Sequence, residues 1–171
     1  MVALAWALSG CSGPTQVIHR LDPDKIRLGD ARLKSVPGTR AQLKIPEGFK
    51  RRADRVWVVT QHKGVVLLLN VVRAPSPKAG LEAWLKSRIA AVQRSGQAGL
   101  IQDEQTTFGD LEGRYIEAME VVGKERRVLF LGAVEAEDGV YLVSVLSPLS
   151  LHKRFGAKLK ALVTSLRVQG R

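Results

Sequence analysis

From about Ala41 onward the sequence predicts an α+β domain built on a mainly antiparallel sheet, and three observations predict it. Alternating or β-branched runs recur at short intervals, three before a helical stretch and four after it. The links between most of these runs are too short for crossovers, so neighbouring strands must pair as hairpins. Two segments change to the helical period, one after Pro75 and Pro77 and one at the end of the chain. The predicted order is βββ-α-ββββ-α. With 171 residues, 45% of them apolar, the chain suits one domain with a proper core plus an extension.

The strands are predicted near Ala41 to Ile45, Val56 to Gln61 and Val65 to Arg73, the last two joined by a tight turn at Lys63-Gly64. In the first helix Leu81, Trp84, Leu85, Ile89 and Val92 share one stripe, and Gly96 and Gly99 end it. Four further strands are predicted near Leu100 to Thr106, Leu111 to Val122, Arg126 to Glu135 and Val140 to Leu146. Their turns fall at Gly109-Asp110, Gly123-Lys124 and Asp138-Gly139. The last of these is read as a type I′ turn, which needs positive φ at both central residues. A closing helix from about Leu149 to Leu166 lines up Leu151, Phe155, Leu159, Leu162 and Leu166, a stripe expected to pack on the sheet.

The amino-terminal segment has a different character. Met1 to Cys11 is apolar and uncharged, too short to span a bilayer and of the right length for the apolar part of a signal peptide. Its end, Leu8-Ser9-Gly10-Cys11, resembles the bacterial lipobox. That resemblance implies cleavage after Gly10, with residues 1–10 as signal peptide, and lipidation of Cys11, the only cysteine. No Lys or Arg precedes Arg20, which a start placed too late would explain. The competing reading is a buried amino-terminal helix in which Cys11 is a small apolar side chain. Ser12 is not the aspartate of inner-membrane retention, so the same resemblance implies the periplasmic face of the outer membrane. Residues 11–40 are expected to be the lipidated cysteine and a flexible tether, because Pro14, Pro23, Pro37, Gly13, Gly29 and Gly38 interrupt any apolar period. The folded domain is then expected over residues 41–171.

Four motifs carry a second resemblance: Ile45-Pro46-Glu47-Gly48-Phe49 after the first strand, Phe108-Gly109-Asp110-Leu111-Glu112-Gly113 at the fifth, Asp138-Gly139-Val140-Tyr141 before the seventh, and Leu162-Val163-Thr164-Ser165-Leu166-Arg167 at the close. In that order and spacing, residues 41–168 resemble the PsbP-like and DcrB-like families. The resemblance implies an α/β/α sandwich, an antiparallel sheet flanked by helices. It also implies a largely non-catalytic role in assembly or binding, and no functional residue transfers with it.

The residues that carry chemistry are sparse. His19, His62 and His152 have no metal-ligand spacing and are read as surface histidines. No G-x-S-x-G element is present. Asp103-Glu104 and the group Glu135, Glu137 and Asp138 are read as solvated carboxylates. Gly109 and Gly113 flank a strand, which excludes a phosphate-binding loop, and Gly113 is read as a close-packing position. Trp57 and Trp84 are read as core. No metal or other cofactor is expected.

Charge is the functional lead. The formal net charge is +11, from 27 Lys and Arg against 16 Asp and Glu, which favours anionic partners. Lys50, Arg51, Arg52 and Arg55 crowd one predicted loop, Arg126 and Arg127 follow a hairpin turn, and Lys153, Arg154 and Lys158 lie on the last helix. A solvated face is the plain explanation, and a surface for anionic lipid or an acidic protein is the functional one. The expected role is that of a membrane-anchored, non-enzymatic envelope lipoprotein that binds or assembles a protein partner. The alternative is a periplasmic module for a small or lipid ligand, with an enzyme of unseen site third and nucleic-acid binding last. A deep apolar cavity would favour the ligand module, a flat patch the interaction protein, and a cleft of titratable groups the enzyme.

Overall fold

A computed structural model describes residues 31–170, apart from 62–63, 95–97 and 123–124. Cys11, His19, His62 and the Gly123-Lys124 turn therefore lie outside the described residues.

Seven strands make the main sheet in the order β3 (Lys50–Ala53), β4 (Val56–Gln61), β5 (Gly64–Ala74), β9 (Gly139–Pro148), β8 (Glu125–Ala136), β7 (Leu111–Val122), β6 (Ala98–Phe108). Every pairing is antiparallel. The helices α1 (Leu81–Arg94) and α2 (Leu149–Val163) cover opposite faces. A second sheet, β1 (Leu33–Ser35), β2 (Ala41–Lys44) and β10 (Arg167–Val168), lies beside α2 and completes an α/β/α sandwich.

Local burial explains the sequence patterns. β8 and β9 are covered on both faces, so their apolar residues run nearly unbroken. β2 has one covered face and alternates, burying Ala41 and Leu43 while Gln42 and Lys44 point outward. The larger core joins Phe155, Leu159, Leu162, Val163 and Leu166 to the sheet residues Leu69, Val71, Tyr115, Phe130, Tyr141 and Val143. The smaller sets Leu81 and Leu85 of α1 on Ile116, Ala133 and Val140, with Trp84 and Ile89 partly buried at its edge. Fully burying each such side chain contributes roughly 1.5–3 kcal/mol, so the two stripes fasten both helices.

Several expectations need correction. The fold starts before Ala41, because β1 pairs antiparallel with β2 and Val36 is buried, so residues 33–40 belong to the domain rather than to a tether. The basic stretch Lys50–Ala53 is an edge strand, not a loop. Gly99 lies within β6, opposite Met119. α2 stops at Val163, where Thr164 and Ser165 donate to carbonyls of its last turn, and Leu166 reaches the core from the following segment. The hairpin between β8 and β9 turns on Glu137 and Asp138, neither with positive φ; the positive value, 137°, belongs to Gly139. That position also rejects a side chain, since a Cβ there would lie 2.4 Å from the Ala74 carbonyl oxygen.

Candidate functional site

Two residues apart on one strand, Tyr115 and Glu117 point to the same face, under α2. The Tyr115 hydroxyl donates to Glu117 Oε2 at 2.9 Å, and His152 of α2 closes on Glu117 Oε1 through Nε2. Glu117 is buried, with 8% of its side chain exposed, whereas the His152 side chain is 31% exposed and stacks on Phe130. Lys160, two turns along α2, lies 4.8 Å from the Tyr115 ring centroid and 2.6 Å from Glu104 of β6. Burial, reinforced by the bond to Glu117, pushes the Tyr115 phenol far above its ordinary range and keeps it protonated. His152, expected at the surface, instead joins α2 to the sheet.

A second polar group stands at the β8–β9 turn. Asp138 accepts from the Tyr141 hydroxyl at 2.8 Å, and Arg73 donates to the Asp138 carbonyl at 2.7 and 3.0 Å. The Tyr141 bond, then the Arg73 and Arg40 charges, holds the Asp138 carboxyl below the usual carboxylate range. Its Oδ1 is buried without a hydrogen-bond partner, with Arg40 Nη1 3.9 Å away. Burial, then the bond to Asp138, raises the Tyr141 phenol. Beside this group lies an open depression of about 270 Å³, lined by Arg40, Phe108, Asp110, Leu111, Glu137 and Arg167 among others. Cavities that enclose drug-sized ligands run from about 300 Å³ upward. The Arg40 and Arg167 guanidiniums already donate to carbonyls of Gln169, Thr164 and Leu166.

On the face of α1, Arg114 grips Asp103 through two bonds of 2.6 and 3.1 Å and reaches Glu82 at 3.0 Å. The hydrogen bond to Asp103 is the main cause of its raised pKa. Asp103 and Glu104 therefore face opposite sides of β6, and each has a cationic partner. Among the described residues no group of three or more His, Cys, Asp or Glu could hold a metal ion.

The basic residues singled out above are distributed over the molecule. Lys50, Arg51 and Arg52 are exposed on the edge strand β3, and Arg55 is exposed in its turn, beside Gly38. Arg51 reaches Asp54 at 3.4 Å. Arg126 and Arg127 lie on β8, four strand spacings from β3, which is about 19 Å. Register sends Arg51 and Arg126 to the face of α2 and Arg127 to the face of α1, where it pairs with Glu125 at 2.7 Å. Lys153, Arg154 and Lys158 occupy the exposed side of α2, the last two over the Phe155 ring. The Tyr115–Glu117–His152 group escaped the sequence reading. Its one visible signal is the Tyr-x-Glu spacing within a strand.

No protein-family model matches the sequence, and no curated protein does. Solved structures do. CyanoP, the cyanobacterial PsbP of Synechocystis sp. PCC 6803, aligns over 81% of this chain and 92% of its own, with a TM-score of 0.57 and 13% identity. The fold is PsbP-like. PA94 of Pseudomonas aeruginosa, a protein of unknown function, aligns over 84% of this chain and 100% of its own, with a TM-score of 0.55 and 10% identity. At these identities the PsbP-like fold is what is shared, and a shared fold does not assign a role.

Proposed function

We propose that this chain is a non-enzymatic module of the cell envelope, held by lipid on Cys11 at the periplasmic face of the outer membrane, that binds a protein partner. The observation that carries this reading is the edge strand β3. All four of its residues are exposed, three of them are cations, and its outer side is unpaired among the described residues. Such an edge suits an extended acidic segment of a partner, which would add a strand through main-chain hydrogen bonds and meet the side chains by charge. The internal pairing of Asp103, Glu104, Glu117 and Asp138 supports a binding role over a catalytic one, because these groups hold the sandwich together. The Leu8-Ser9-Gly10-Cys11 sequence supports the address. No helix among the described residues is long and apolar enough to cross a membrane.

Two experiments test the proposal. The mass of the mature amino terminus from the native host is expected to show diacylglyceryl and acyl groups on Cys11, and an unmodified Met1 would reject the address. Crosslinking in native envelopes is expected to give a discrete partner adduct that disappears with Lys50→Glu and Arg52→Glu. An adduct unchanged by both reversals removes β3 as the docking edge.

A further inference from the structure

Every acidic residue that the structure describes falls between Glu47 and Asp138. Residues 31–46 and 149–170 carry nine basic groups and no acidic one, whereas residues 47–138 hold fourteen basic against thirteen acidic. The excess charge of the molecule thus resides in two terminal segments. The fold joins them into one layer: β2 pairs with β1 on one side and β10 on the other, and α2 runs into β10. The Lys44 amide donates to the Ser165 hydroxyl at 3.1 Å, and Leu43 shares a core with Phe155 and Leu159. Arg32, Lys34, Lys44, Lys153 and Lys158 of this layer have no ion-pair partner among the described residues. Leu33, opposite Lys44 in register, is 43% exposed on the outer face of this sheet, while Lys34, opposite the buried Leu43, is exposed at the β1 edge.

We propose that this acid-free outer layer, formed by α2 and the β1–β2–β10 sheet, is a docking face for an anionic lipid bilayer. Spread cations around an exposed leucine match a headgroup surface, where the aliphatic stems of lysine can lie along apolar material while their ammonium groups meet phosphate. The path of the chain selects the bilayer over an acidic protein. The segment leading from Cys11 enters the fold at β1, in this layer. Only twenty residues separate Cys11 from Arg32, so a lipid on Cys11 would keep this face close to the headgroups. This orientation rests on the proposed lipidation, and it leaves β3 and the face of α1 for a partner.

The test uses the full chain carrying Cys11→Ser, so that no attached lipid contributes and the apolar leader contributes equally to every variant. Sedimentation is measured with phosphatidylcholine vesicles, with and without a minority of phosphatidylglycerol. Binding is expected only with the anionic lipid and is expected to weaken as salt rises. The pairs Lys153→Glu/Lys158→Glu and Lys34→Glu/Lys44→Glu should each weaken it by about tenfold or more. The control pair Lys78→Glu/Lys86→Glu, equal in charge change but on and beside α1, should leave it nearly intact. Equal binding to both vesicles, or equal loss in the control, overturns the proposal. An unmodified Cys11 with selective anionic binding would defeat the tether and leave the face standing.

Discussion

Removing His152 should reveal what the group beneath α2 is for. In His152→Ala, Glu117 keeps the Tyr115 hydroxyl as its remaining hydrogen-bond donor while its surroundings stay largely dry. A lost hydrogen bond to a charged group costs roughly 1.5–3 kcal/mol. Losing the Phe130 stack adds about 0.5 kcal/mol, and the partial exposure of His152 offsets some of this by letting water reach the carboxylate. The expected cost is about 2–3 kcal/mol. Glu117→Met strands the buried Tyr115 hydroxyl instead, at about 1–3 kcal/mol. The triple variant Tyr115→Phe/Glu117→Met/His152→Leu exchanges the whole group for apolar side chains of similar size and should lie within about 1 kcal/mol of the parent. Urea unfolding at neutral pH, read as a shift in midpoint at constant slope, measures all three. Single variants within about 0.5 kcal/mol of the parent, or a triple variant as damaging as the singles together, would refute a structural clamp.

Two further outcomes follow from the packing. A Cβ at Gly132 would lie 2.7 Å from Phe108 Cε1 and 2.8 Å from Val163 Cγ1, so Gly132→Ala should cost about 1–3 kcal/mol, and much less in a Phe108→Ala background. At Gly113 the obstacle includes the Ala133 carbonyl oxygen at 2.4 Å, so the same background should rescue Gly113→Ala poorly; equal rescue at both sites in urea melts would contradict this. Burial raises the Glu120 pKa against the opposing pull of Arg127, which means that ionising Glu120 costs the folded state more than the unfolded one. That penalty is present above the raised folded pKa and vanishes below the ordinary carboxylate range, so Glu120→Gln should stabilise at neutral pH and not in acid. A gain of equal size at both pH values, measured by thermal melts, would show that titration is not its source.

The main sheet was legible because its strands carry their own signal. Strands such as β8 and β9 are enclosed on both faces and must be apolar almost throughout, while the alternation of β2 marks a single covered face. β3 was invisible as a strand for the opposite reason. An edge strand with four exposed residues buries no side chain that would print a period, and Lys-Arg-Arg reads equally well as a loop. β1 hid among prolines and glycines because its place depends on a partner, β2, and not on its own composition. At the β8–β9 hairpin the dipeptide Asp-Gly suggested the turn residues, but Asp138 is engaged by Tyr141 and Arg73 and the turn moves one residue back. The Tyr115–Glu117–His152 group had no spacing rule to announce it, since Glu117 and His152 are 35 positions apart and are brought together only by the packing of α2 on the sheet.

The charge pattern shows most clearly what the fold adds to a sequence. The acid-free carboxyl-terminal stretch is visible in one dimension, yet taken alone it describes a helix with one basic side. The matching acid-free stretch before Glu47 was divided between an expected tether and the first predicted strand, and its four cations carried no message there. Antiparallel pairing of β2 with β10 brings Gln42 opposite Arg167 and Ala41 opposite Val168, turning two segments at opposite ends of the domain into one continuous surface. A patch assembled this way draws its charge from both segments. For the same reason, the two charge-reversal pairs, one in each segment, should weaken lipid binding alike.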